Sequence, residues 1–403
     1  MKSSLLIVFL LLFVAACTSK QPEAPTKGTF GYDLYFLQQH DSQLVVLRSA
    51  DSLAQVIVSA KYQGKVFTSA AEGAGGASFG WVNEKAFGPK PLPHMNAYGG
   101  ENRLWLGPEG AQYSVFFKPG ATMDFANWQT PPAFDTEPWR VTNRTTQSIS
   151  LQKTTTLTNY AGTSLPLRID RTVALLNGEA IGKRLGISIN DGLHVVGYQT
   201  TNRLTNTGKT AWTRQTGAPC MWLLDMLTPA PHVTIVIPYE AATTGPVATT
   251  DYFGAIPPDR IADRNGALFF RADGKSRGKL GLGPQRAKPI AGSYDPDRQI
   301  LTLVLFDVDK TGTYLNQAWK LVANPFQGDA VNAYNDGPLA DGTQMGPFYE
   351  LESVSPAAFL PPGASLGHHH AVLHLTGDKA QLDAVAKKAL GVSLAQIQTA
   401  FAR

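Results

Sequence analysis

Short segments in which apolar and polar residues alternate recur along nearly the whole chain. Examples are residues 44–48, 54–59, 113–117, 149–158, 167–176, 194–204, 233–238, 267–271, 300–307 and 348–354. A period of two sends successive side chains to opposite faces of an extended backbone, which is strand geometry and cannot be satisfied by a helix. Turn signals separate the segments: Asn-Gly at 177–178 and 265–266, and Asn-Thr-Gly at 206–208. Helical spacing is read only in 378–402, where Leu382, Val385, Ala386, Ala389 and Leu390 fall on one face and Ser393 is placed to cap a second short helix. With 38 Gly, 27 Pro and only 16% charged residues, the composition favours many turns over a helical bundle. The pattern predicts an all-β chain: one large antiparallel domain over 28–376 and a short helical C-terminal tail over 377–403.

The N-terminus constrains where such a chain would reside. Lys2 precedes an unbroken apolar run from Leu5 to Val14, followed by Ala15, Ala16 and Cys17. The run is about half of what a bilayer-spanning helix needs, and a small-residue cleavage site after it is the signal-peptide pattern. Val14-Ala15-Ala16-Cys17 resembles a bacterial lipobox. That resemblance implies that residues 1–16 are a signal peptide and that Cys17 is acylated as the new N-terminus. Several buried acyl chains would anchor it to a membrane. Residues 17–27 read as a polar tether. Thr18, rather than Asp, after the lipidated cysteine implies the outer membrane.

Cys220 is then the only cysteine of the mature domain, so no intramolecular disulfide and no zinc–thiolate site can form. Loss of residues 1–16 removes one lysine, and the formal charge falls from +4 to +3. That bias is too weak to imply a nucleic-acid partner. Oligomeric state is not legible.

Several stretches could carry chemistry. In residues 94–109, Glu101, Arg103 and Trp105 alternate and would share one strand face, with Gly99 and Gly100 allowing close approach and Glu109 ending the stretch. An acid, a guanidinium and an indole together suit a sugar: hydrogen bonds for hydroxyls and an apolar platform for the ring. A buried Glu–Arg pair under a Trp is the competing explanation. The Trp- and Pro-rich loop 128–139 could wall a cleft, with Asp135 or Glu137 as a second carboxylate. Asp336, in the polar loop 332–338, could orient a substrate or act as an acid, or simply belong to a turn. In 367–374, His368, His370 and His374 would point one way along a strand. Three readings stay open: ligands of a divalent metal, with His368 and His370 as the pair; a general acid; or core hydrogen bonding. Six basic residues from Arg271 to Lys288, including Arg277 and Lys279, face only Asp273 in sequence. They form a solvated hairpin or a site for an anionic sugar, with Lys279 as the binding candidate.

Three stretches resemble the galactose mutarotase-like superfamily of aldose epimerases and other sugar-active proteins. They are Val56-Ile-Val-Ser-Ala-Lys-Tyr-Gln-Gly-Lys-Val66, Gly192–Lys209 with its closing Asn-Thr-Gly, and Leu351-Glu-Ser-Val-Ser-Pro356. Residues 95–117 and 332–338 look like an envelope lipoprotein subgroup of that superfamily. The resemblance implies a β-supersandwich and makes Glu352 the catalytic carboxylate. The family's partner histidine is missing: Leu157-Thr-Asn-Tyr160 carries tyrosine, and Cys220-Met-Trp222 stands where the other register would place it. Glu352 with His368 or His374 would then supply acid–base chemistry on a sugar, while Asp336, Glu101, Arg103, Trp105, Glu109 and Lys279 would assist or bind. The alternative is a glycan-binding protein without catalysis on the same fold.

Overall fold

The computed structural model describes residues 25–88, 90–190 and 192–402. The expected signal peptide, Cys17 and most of the tether lie outside the described residues. Among the described residues, no helix is long and apolar enough to cross a membrane.

Three antiparallel sheets make up the fold. The largest has ten strands, and the long central pair Ser365–Gly377 and Leu193–Asn206 forms its spine. The second has five, in the spatial order Gly278–Leu282, Val331–Asn335, Tyr349–Val354, Cys220–Leu227, Arg103–Gly107. A small sheet of Val45–Arg48, Gln55–Ser59 and Lys65–Ala70 flanks them. The expected all-β sandwich is therefore the architecture found. The Asn-Gly turn at 265–266 is the hairpin expected: both residues take positive φ, 56° and 73°, between Ile261–Arg264 and Ala267–Arg271.

The main core lies between the inner faces of the two large sheets and continues into the aromatic loops over the five-stranded one. The outer face of the ten-stranded sheet carries Leu301, Leu303, Leu373 and Leu375, which need their own cover. The helices Gly178–Leu185, Lys379–Leu390 and Leu394–Gln398 supply it, through Ile181, Leu185, Leu382, Val385, Leu390, Leu394 and Ile397. The C-terminal segment is thus packed on the sheet rather than trailing from it. Ser393 caps its second helix in a full capping box with Gln396.

Three local expectations are corrected. Asn177-Gly178 is not a hairpin turn: Asn177 caps the helix Gly178–Leu185, its side chain accepting from Ala180 N. Residues 113–117 form turns and bends, not a strand, because they fold over the five-stranded sheet as a loop. An unexpected helix, Phe30–His40, capped by Thr29, packs Phe30 and Leu37 against Ile57 and Phe67 of the small sheet. Six of the eight residues from Phe30 to Leu37 are aromatic or apolar, which masks the helical period.

Candidate functional site

The five-stranded sheet buries both faces in different ways. Alternation puts Leu351 and Ser353 on the face turned to the sandwich interior and Glu350 and Glu352 on the other. The strand register aligns the outer residues into one floor. Arg103 faces Leu224, Trp105 faces Trp222, Glu352 faces both Leu224 and Asn332, and Tyr334 faces both Glu350 and Lys279. Loops rise around this floor and enclose a cavity lined by Arg103, Trp105, Glu109, Trp128, Trp222, Phe253, Arg277, Lys279, Trp319, Tyr334 and Glu350, with further apolar side chains at its mouth. Four indoles and three cations in one concavity are the composition of a pocket for a hydroxylated ring with polar substituents.

The charges of the floor are arranged in pairs. Arg103 Nη2 donates to Glu350 Oε1 at 2.8 Å, and its guanidinium lies 4.2 Å from the Trp105 ring centre. Lys279 Nζ lies 2.8 Å from Glu352 Oε2 and 4.7 Å from the Trp222 ring centre. Trp222 Nε1 donates to the same Glu352 oxygen at 2.8 Å. Among the described residues, Glu352 Oε1 has no hydrogen-bond partner.

Burial pushes the Glu350 carboxyl up to about 7, against the opposing pull of Arg103. Burial also raises Glu109, with Lys279 opposing. For Lys279, burial pulls downward, but Glu352 and Glu109 outweigh it and the ammonium stands above its ordinary value. Two acids held toward their neutral forms therefore face one cavity.

The structure brings Arg103, Trp105, Glu109 and Lys279 together in this cavity. Glu352 is adjacent but fully buried beneath Lys279 and Trp222, and Glu350 is the carboxyl of that strand which lines the opening. Sequence reasoning missed Glu350, although its two-residue spacing from Glu352 is the signal that places both on one face.

The other candidates lie elsewhere. Glu101 does not share the face of Arg103 and Trp105. Gly99 and Gly100, at φ 84° and 121°, break the extended alternation, and the strand begins only at Arg103. Glu101 instead turns inside the sandwich, accepting from Ser69 Oγ at 2.7 Å. Asp336 does not face the cavity either. It accepts from Tyr334 Oη at 3.0 Å and from Gly346 N at 2.8 Å, behind the lining. Asp135 is spent on Asn96, whose backbone N and side-chain Nδ2 both donate to it, and Glu137 pairs with Lys153 at the surface.

His368, His370 and His374 share one face, as their spacing implies, but that face is the interior of the sandwich. Ser353, on the back of the Glu352 strand, bridges His368 Nε2 at 2.9 Å and His370 Nδ1 at 2.8 Å. His370 Nε2 meets Asp225 Oδ2 at 2.7 Å, and Asp225 Oδ1 accepts from Asn102 at 2.6 Å. His374 Nδ1 pairs with Thr302 at 2.9 Å, and its ring stacks on Phe79. His374 Nε2 lies 3.0 Å from Glu101 Oε1 without making a hydrogen bond to it. Burial, reinforced by His370, lowers His368 to about 3. The catalytic and metal roles for these histidines are therefore corrected. They point away from Glu352, four of their ring nitrogens are engaged by Ser353, Asp225 and Thr302, and among the described residues no three such side chains converge as a metal site. A divalent ion does not fit this network.

The basic run 271–288 also dissolves in three dimensions. Arg271 donates to Asp259 O and stacks on Phe401, and Arg286 donates to the carbonyls of Glu240 and Gly245. Asp273 pairs with Arg260. Only Arg277 and Lys279 reach the cavity.

The chain belongs to the family of unknown function DUF6786, whose model matches residues 28–401. No curated protein matches it. Among solved structures it is similar to the Slr1438 protein of Synechocystis, at 14% identity over 83% of this chain and 96% of that one, with a TM-score of 0.48. It is also similar to a galactose mutarotase-like protein from Lactobacillus casei, at 10% identity over 82% and 99%, with a TM-score of 0.48. A galactose mutarotase related enzyme from Lactobacillus acidophilus matches at 9% identity over 83% and 97%, with a TM-score of 0.40. The last two carry the superfamily name that the sequence resembles. At these scores the likenesses carry no argument about chemistry, which rests on the residues of the cavity.

Proposed function

We propose that this chain is a carbohydrate-active lipoprotein of the bacterial cell envelope, anchored through Cys17, in the outer membrane, and that its sugar ligand binds over the five-stranded sheet. The observation that carries the reading is a carboxyl raised to about 7, Glu350, at the floor of a cavity walled by Trp105, Trp128, Trp222 and Trp319. A group that gains and loses a proton near neutrality is suited to acid–base work, and indole faces suit the apolar face of a pyranose. Glu350 is the proton-transferring group, and Glu109 is the second acid facing the same space. Arg103 stabilises the ionised form of Glu350, and Lys279 contacts the buried Glu352 at 2.8 Å. Two carboxyls replace the carboxylate–imidazole pair expected from the sequence. Such a pair serves epimerisation, elimination or hydrolysis according to the proton that lies between them.

A non-catalytic glycan-binding role is the second reading. It is favoured by the Arg103–Glu350 ion pair, which already engages the carboxyl. A proton NMR time course of the full-length chain with a panel of oligosaccharides separates the two. New anomeric or vinylic signals with the wild type, absent with Glu350→Gln, establish an enzyme and name the reaction. Sugar signals that broaden without change, for both proteins alike, establish binding alone.

A further inference from the structure

Arg277 is the cation of the cavity without an acidic partner. Arg103 and Lys279 each hold a carboxylate at 2.8 Å. Arg277 makes one hydrogen bond, from Nε to Tyr334 Oη at 3.2 Å, and among the described residues it enters no salt bridge. Its guanidinium lies over Phe253, 3.8 Å from the ring centre. Tyr334 is fixed in turn by Asp336, and Asp336 by Gly346 N. The ring contact and the one bond at Nε hold the group in place, and among the described residues neither terminal amino group donates a hydrogen bond, which leaves both for the two-pronged contact that guanidinium makes with an oxyanion.

The surroundings favour an anion over a neutral hydroxyl. The lining contributes Arg103, Arg277 and Lys279 against Glu109 and Glu350, with Glu352 beneath. The two lining carboxyls are raised by burial, which lessens the negative charge they oppose to a ligand near neutrality. Phe253 and Met345 also line the cavity and are exposed.

We propose that Arg277 is the recognition site for an acidic substituent, carboxylate or sulfate ester, on the sugar bound in this cavity. The assignment rests on the reading of the cavity as a sugar site and narrows it to anionic sugars. It makes Arg277 a specificity determinant, distinct from the Glu350 proton-transfer group.

The test is calorimetric titration of the full-length chain, purified in detergent, with three probes. They are a hexuronate tetrasaccharide, its carboxyl-reduced neutral counterpart, and a sulfated tetrasaccharide of the same backbone. The expected result is that the wild type binds at least one acidic probe roughly tenfold to a hundredfold more tightly than the neutral one. Arg277→Gln would erase that difference, weakening the acidic probes far more than the neutral one, and Arg277→Lys would restore it in part. The two acidic arms tell carboxylate from sulfate. Equal binding of all three probes by the wild type overturns the proposal, as does an Arg277→Gln variant that loses neutral and acidic affinity alike. Trp105→Ala tests the underlying reading separately: it should weaken every probe in equal measure. Tight acidic binding that ignores Trp105 would place the ligand elsewhere and sink the sugar-cavity reading. Binding of none of the three would sink both.

Discussion

At the scale of the residue, the cavity floor depends on charges that are buried only because they are paired. Removing one partner of such a pair typically costs about 3–5 kcal/mol, because the other charge is left without compensation. Lys279→Met is expected to destabilise the fold by roughly that amount in urea denaturation, and adding Glu352→Gln should recover much of it. The interior network offers a second test. Ser353 bonds both His368 and His370, so Ser353→Ala should cost about 1–3 kcal/mol with no direct loss of a cavity contact. If the catalytic reading proposed above holds, Glu350→Gln should lower turnover by roughly a hundredfold or more and remove a pH-rate midpoint near 7. The adjacent residues 352 and 353 show how finely alternation sorts these roles: the carboxylate faces the cavity side, while the hydroxyl one position on faces the histidines.

At the scale of the element, the C-terminal helices act as part of the sandwich. Leu382, Val385, Leu390 and Ile397 cover Leu301, Leu303, Leu373 and Leu375, which otherwise would form an exposed apolar patch on the ten-stranded sheet. Leu382→Ala is expected to cost about 2–5 kcal/mol by thermal or chemical unfolding. Deleting residues 378–403 should yield insoluble or molten protein, and a soluble, cooperatively folded product would show that this cover is dispensable. The helical spacing of 382–390 was legible because its apolar face is continuous. The helix Gly178–Leu185 was not, since an Asn-Gly pair signals a hairpin as readily as a helix cap. Only the packing of Ile181 and Leu185 on the sheet decides between them.

At the scale of the whole molecule, two buried groups give opposite dependences of stability on pH. His368 titrates at about 3 when folded and near 6.5 ordinarily. Between these values the unfolded chain holds more protons, so stability is full above about 6.5 and falls as pH drops toward 3, by about 1.4 kcal/mol per pH unit for one proton. Glu350, at about 7 against an ordinary 4.5, holds its proton more firmly in the folded state. Its contribution is full below 4.5 and is lost as pH rises to 7. The two oppose one another from about 4.5 to 6.5, and below 4.5 the His368 slope stands without that offset. Melting temperatures measured from pH 3 to 8 should therefore fall less steeply below 4.5 in His368→Gln than in the wild type. In Glu350→Gln they should fall more steeply between 6.5 and 4.5. Parallel curves for all three proteins would refute the assignment.

The sequence by itself determined the all-β class, the antiparallel pairing with its Asn-Gly hairpin at 265–266, and the capped helices at the end. It also determined that His368, His370 and His374 lie on one face. These follow from local periodicity and turn chemistry, which act over a few neighbouring residues. It placed Arg103 and Trp105 together for the same reason. Only the tertiary structure decided which side of a strand meets which layer. The histidine face turns to the interior because its strand belongs to the opposite sheet, and Glu352 is covered because Lys279 and Trp222 arrive from distant strands. Arg277 stands without an acid because Asp273, the one carboxylate near it in sequence, is drawn to Arg260 in space. Pairings across tens to hundreds of residues are set by register and packing, and no local pattern encodes them.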